Sequence, residues 1–96
     1  MRLLSVRPSN DGTHKYDAKF VGDSGREKTV RFGAKGMSDY TKHHDPERRR
    51  RYIERHSANE NFQKPDSAGA LSRWLLWGES TSMVKNLASF RKKFNL

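Results

Sequence analysis

At 96 residues the chain has room for one small domain, and its core is too small to enclose a large substrate cavity. Hydrophobic and charged residues each make up 32%, and the net charge of +9 favours polyanionic partners or acidic protein surfaces. An aromatic content of 10% in recognisable periodicity argues against a disordered tail, and the absence of cysteine excludes disulfides and thiolate metal sites.

The N-terminal "MRLLSVRPSNDG" has too short an apolar run for a signal peptide, and no segment approaches a membrane span. The expectation is a soluble intracellular protein that is not secreted. A first strand is predicted around Leu3 to Arg7, ended by "RPSNDG". In "HKYDAKFV" the residues Tyr16, Ala18 and Phe20 alternate with Lys15, Asp17 and Lys19, the period of a half-buried strand. "GDSG" at Gly22 to Gly25 supplies a turn, and "EKTVRF" places Val30 and Phe32 on one face of the next strand. A lone hairpin is marginal in water, so the first strand is expected to complete a three-stranded antiparallel sheet.

"GAKGMSDYTKHH" then reads as a loop or ordered turn, because Gly33 and Gly36 permit backbone conformations closed to other residues. Asp45 as cap, Pro46 in the first helical position and Glu47 near the positive end of the dipole start a helix running to about His56 or Ser57. Residues 42 to 56 hold six Lys or Arg against three acids. At 100° per residue, Arg48, Arg51, Tyr52 and Arg55 share one stripe, with Arg49, Ile53 and His56 on the neighbouring one. Such a helix has almost no apolar face. It must dock through Tyr52, Ile53 and arginine stems, or lie against a partner.

"NFQKPDSAG" is a connector with Ser67 or Asp66 available to cap the next helix. In "SAGALSRWLLWGES" apolar residues cover nearly the whole wheel, and Gly78 ends the run. Trp74, Leu75 and Leu71 are predicted to face the sheet, with Leu76 and Trp77 turned away as a hydrophobic interface. A third helix begins after "STS", with Met83, Leu87, Phe90 and Phe94 as one apolar stripe and Lys85, Lys92 and Lys93 facing outward.

No sequence motif points to catalysis. His43, His44 and Asp45 are adjacent and lack further ligands at metal spacing, and His14 and His56 are isolated. "GDSG" reads as a hairpin turn, not a nucleophile, and "GAKG" as a turn in preference to a phosphate cradle. The expectation is no enzyme, no cofactor, no metal and no small-molecule substrate. The arginine run beside Tyr40 and Tyr52 has the chemistry to grip phosphates through guanidinium forks and stack a base, although a solvated face or ion pairs to neighbouring proteins explain it equally well.

"VRFGAKGMSDYTKHHDPERRRRYIERH", "AGALSRWLLWGE" and the basic C-terminal helix resemble a family of small basic proteins of large nucleocytoplasmic DNA viruses, especially of algae, and of some protists. The resemblance implies no activity, cofactor or catalytic residue. It implies a setting in which small basic proteins serve as virion components or bind nucleic acid.

The reading is therefore a single α+β domain over residues 1–96, a small N-terminal sheet of two or three strands followed by about three helices. Its expected role is structural: a minor capsid-associated component bridging larger capsid or assembly proteins. The alternative is binding DNA or RNA through phosphate contacts in a virion or ribonucleoprotein particle. Partner or polyanion contact is assigned to Arg48, Arg49, Arg51, Tyr52, Arg55, Arg91, Lys92 and Lys93, and the hydrophobic interface to Leu76 and Trp77.

Overall fold

Alternating apolar residues produce the expected sheet. The computed structural model describes residues 1–96 and contains strands β1 (Arg2–Pro8), β2 (His14–Val21) and β3 (Glu27–Ala34), antiparallel in the order β1-β2-β3. Opposed pairs Leu3↔Phe20, Val6↔Ala18, Tyr16↔Phe32 and Ala18↔Val30 gather the apolar side chains. An irregularity between Leu3 and Ser5 lets Leu3 and Val6, three residues apart, both reach the core, while Leu4 stays exposed. The β2–β3 turn closes through the Gly25 N–H donating to the Gly22 carbonyl at 2.9 Å, with Gly25 at φ +83°.

Helix α1 (Tyr40–His43) is a single turn inside the segment expected to be a loop, capped by Asp39, whose carboxylate accepts from the Thr41 N–H at 2.9 Å and from the Thr41 hydroxyl. His44 ends it in the left-handed region at φ 56°. Helix α2 (Pro46–Ser57) starts as its sequence dictates: Asp45 accepts from the Glu47 N–H at 3.0 Å and Pro46 occupies the first turn. Helix α3 begins at Ala68–Leu71, capped by Ser67, and continues as a π turn over Ser72–Leu76. Helix α4 (Met83–Phe94) is capped by Ser82 and closed by Asn95 at φ 55°. The architecture is α+β, the sheet first and about four helices after it.

One core cluster joins the layers: Leu3, Ala18, Phe20 and Phe32 from the sheet, Leu71, Leu75, Leu76 and Trp77 from α3 and its end, and Phe90 from α4. This corrects the expected interface, because Leu76 is only 2% and Trp77 9% exposed. The cause is the π turn. Its wider coil, shown by the Trp77 N–H donating to the Ser72 carbonyl at 3.0 Å, advances each residue by less than the 100° of an α-helix and swings Leu76 and Trp77 inward. Leu71 and Leu75 face the core as expected, but Trp74 is left at the edge, its Nε1 donating to the Phe62 carbonyl at 2.7 Å.

Two close approaches fix where α3 sits. Gly33, at φ +77°, admits Leu76: a Cβ there would lie 2.9 Å from Leu76 Cδ1. Gly78 admits Asn86, which would lie 2.6 Å from an added Cβ. Asn86 interrupts the apolar stripe of α4 as a buried cross-brace. Its Nδ2 donates to the Leu75 and Ser80 carbonyls at 3.0 and 2.7 Å, and its Oδ1 accepts from the Ser80 N–H at 3.0 Å.

Candidate functional site

Helix α2 buries no residue fully, so its attachment is made by particular contacts. The Tyr52 ring lies parallel to Trp77, centroids 4.2 Å apart at 4°, and its other side stacks on His56 at 4.1 Å and 25°. The result is a three-ring column, Trp77–Tyr52–His56, running from the core to the surface. Arg49 supplies a second attachment. Its Nε donates to the Gly78 carbonyl at 2.8 Å and the Trp77 carbonyl at 3.3 Å, and its Nη2 meets Glu79 at 3.1 Å. Arg73 donates to the same Trp77 carbonyl at 3.0 Å while lying over the Trp74 ring at 4.2 Å. Burial, with Arg49 nearby, pushes the Arg73 guanidinium below its ordinary range. The two arginines thus satisfy carbonyls at the end of the π turn.

Docked this way, α2 forms one wall of a cleft of about 500 Å³. The end of β3, the segment that follows it up to Asp39, and the start of α3 form the others, with Leu76 and Trp77 also lining it. Arg48, Arg51 and Arg55 line the cleft together with Lys15 and His56. The two acids there are already engaged. Asp39, 1% exposed, accepts from Lys15 Nζ at 2.6 Å, and Glu60 lies 3.2 Å from His56 Nδ1.

The five arginines of α2 divide by direction. Arg50 is paired with both Glu47 and Glu54, and Arg49 is committed to the Gly78 carbonyl and Glu79. Arg48 and Arg55 have no carboxylate partner, and Arg51 has only Glu47 at 3.5 Å, already shared with Arg50. The stripe Arg48, Arg51 and Arg55 read from the sequence is therefore brought together on the cleft. At 1.5 Å rise per residue the three sit about 4.5 and 6 Å apart along the helix axis.

Other expected contact residues are spent inside the molecule. Arg49 is a brace for α3, and Tyr52 has both ring faces covered, so it offers no platform for a base. Burial pushes its hydroxyl up to about 12. Arg91 donates to the Leu3 carbonyl, tying α4 to β1 at 2.6 Å, and Lys93 lies over the Trp74 ring at 4.5 Å. Lys92 is exposed without an ion-pair partner but far along the chain from the cleft residues of α2.

The histidine pair is placed structurally. The Asp45 N–H donates to His43 Nδ1 at 3.0 Å, the His43 ring lies 5.2 Å from Trp77, and burial followed by the Arg48 charge pushes it below the usual histidine range. Asp45 itself caps α2. Lys15, Asp39, Glu60 and Gly69 line the cleft without any sequence signal: Lys15 and Asp39 are 24 residues apart and meet only through the fold.

A family model described as a family of unknown function, DUF5754, matches residues 4–56. The chain belongs to that family. The matched stretch runs from β1 to the end of α2, so it contains the sheet, the segment from Ala34 to Asp39 and the whole arginine row, while α3 lies beyond it. No curated protein and no solved structure matches the chain. No helix is long and apolar enough to cross a membrane.

Proposed function

We propose that this protein binds nucleic acid through phosphate contacts made by Arg48, Arg51 and Arg55 at the α2 cleft, as a component of a viral or protist particle. The observation that carries the reading is the division of the arginines: Arg49 and Arg50 are committed to partners, whereas on the cleft Arg48 and Arg55 have no carboxylate and Arg51 only shares Glu47 with Arg50. Guanidinium forks match phosphate oxygens bidentately, and a row of them along one helix face suits a polymer of evenly placed charges better than an isolated anion. With Leu76 and Trp77 in the interior, a role bridging larger capsid proteins loses its apolar anchor. Any such bridging would run through the basic faces, where acidic protein competes with nucleic acid for the same forks.

The test is charge reversal of Arg48, Arg51 and Arg55 to Glu. Retention on immobilised DNA or RNA should be abolished, and the dependence of affinity on salt should fall by about 0.7 to 0.9 logarithmic units per lost phosphate contact. An unchanged salt slope in the triple variant would remove the row from the phosphate site. Tighter binding to a polyglutamate peptide than to nucleic acid would assign the row to acidic protein instead.

A further inference from the structure

Resting on that reading, we infer that the cleft selects single-stranded over duplex nucleic acid, seating one nucleotide with its base against His56 and its backbone along Arg48, Arg51 and Arg55. Shape is the first reason. A helix that reads a duplex enters the major groove as a convex ridge. Here the arginine face of α2 looks into a concavity walled by Met37, Ser38 and Ala68. A duplex can touch the rim of such a cleft but cannot fill it, whereas about 500 Å³ is within the range of pockets that hold one nucleotide-sized ligand.

The second reason is the aromatic column. Bases are held without sequence preference by stacking on ring faces, and a face already covered cannot serve. Trp77 and His56 cover both sides of Tyr52, and Trp77 is packed between Tyr52 and His43. His56 ends the column, half-buried, on the cleft, with one ring face against Tyr52 and no second ring stacked on it. Gly69, where an added Cβ would lie 3.0 Å from the Glu60 side chain, makes room for Glu60, which holds the edge of the His56 ring at Nδ1, 3.2 Å away. The pieces match a single-strand site: cations for the backbone, one open ring for a base, and a cavity sized for a single nucleotide. Stacking on a ring face reads no base edge, so base identity should matter little.

The experiment measures fluorescence anisotropy of the full chain with a labelled single-stranded oligonucleotide, its duplex of equal phosphate number, and free AMP as competitor. The single strand should bind about tenfold tighter than the duplex, and AMP should compete only weakly. Two charge-neutral variants locate the effect. Ala68→Phe fills the cleft and should bring single strand and duplex to parity while leaving salt-dependent duplex binding in place. His56→Ala should weaken the single strand by about tenfold with little change in duplex affinity. The inference is overturned if duplex binds as tightly as single strand, if Ala68→Phe preserves the preference with an unchanged thermal melt, or if AMP competes as well as the oligonucleotide. In each of those cases loss of binding in the arginine triple variant still upholds the phosphate reading; wild-type protein that binds neither form defeats both.

Discussion

Replacing Trp77 by Ala should unfold more of this protein than replacing Trp74, and the reason lies in what each ring holds. Trp77 is 9% exposed and joins the core to α2 through its parallel stack on Tyr52. Truncating a buried tryptophan costs about 3 to 5 kcal/mol, and losing the stack places this site at the upper end. A domain of this length has a total stability of roughly 5 to 14 kcal/mol. The melting temperature should therefore fall by roughly 16 to 40 °C, for about 4 to 5 kcal/mol at about 4 to 8 °C per kcal/mol in a small domain. Trp74 is half-buried. Its loss removes one hydrogen bond to the Phe62 carbonyl and the cation contacts of Arg73 and Lys93, together about 2 to 3 kcal/mol. Thermal melts followed by circular dichroism give the ranking, and amide hydrogen exchange gives the location. In Trp77→Ala the amides of α2 should exchange fastest, since the column is its main apolar attachment. If Trp74→Ala costs as much as Trp77→Ala, or if α2 keeps its protection when Trp77 is removed, the column does not hold the helix.

Asn86→Leu should cost about 3 kcal/mol in denaturant unfolding, because it leaves the Leu75 and Ser80 carbonyls and the Ser80 N–H without partners; a loss below about 1 kcal/mol would show the brace to be replaceable. Lys15→Met should cost about 3 to 5 kcal/mol by leaving the buried Asp39 carboxylate without its cation, and adding Asp39→Asn should recover part of that loss, an outcome a merely packing role for Lys15 would not give. Ultraviolet titration should find a tyrosine step near 12 that Tyr52→Phe removes. The raised pKa of Tyr52 favours the neutral hydroxyl in the fold, so that contribution to stability is complete below about pH 10, the unfolded value, and is lost as pH rises towards 12. A titration curve that Tyr52→Phe leaves unchanged near 12 would contradict the buried column.

Local physics made much of the fold legible in the sequence. The two-residue period of "HKYDAKFV" and "EKTVRF" dictated the hairpin and its inner face, and Asp45, Pro46 and Glu47 set the start of α2, because caps and alternation act over a few residues. The stripe Arg48, Arg51 and Arg55 was equally local, a consequence of helical geometry alone. What those arginines face was decided elsewhere. Arg49 is one residue from Arg48 and chemically identical, yet it is committed to carbonyls 28 and 29 residues away, exposed only because a π turn ends there. That turn also inverted the roles expected of Trp74 and Trp77. Nothing in "SRWLLW" distinguishes a π turn from an α-helix, since the choice depends on Gly33 and Gly78 admitting Leu76 and Asn86 from distant segments. The arginine row follows from the sequence of one helix; the cleft, its neutralised acids and its single open ring follow only from packing α2 against residues far along the chain.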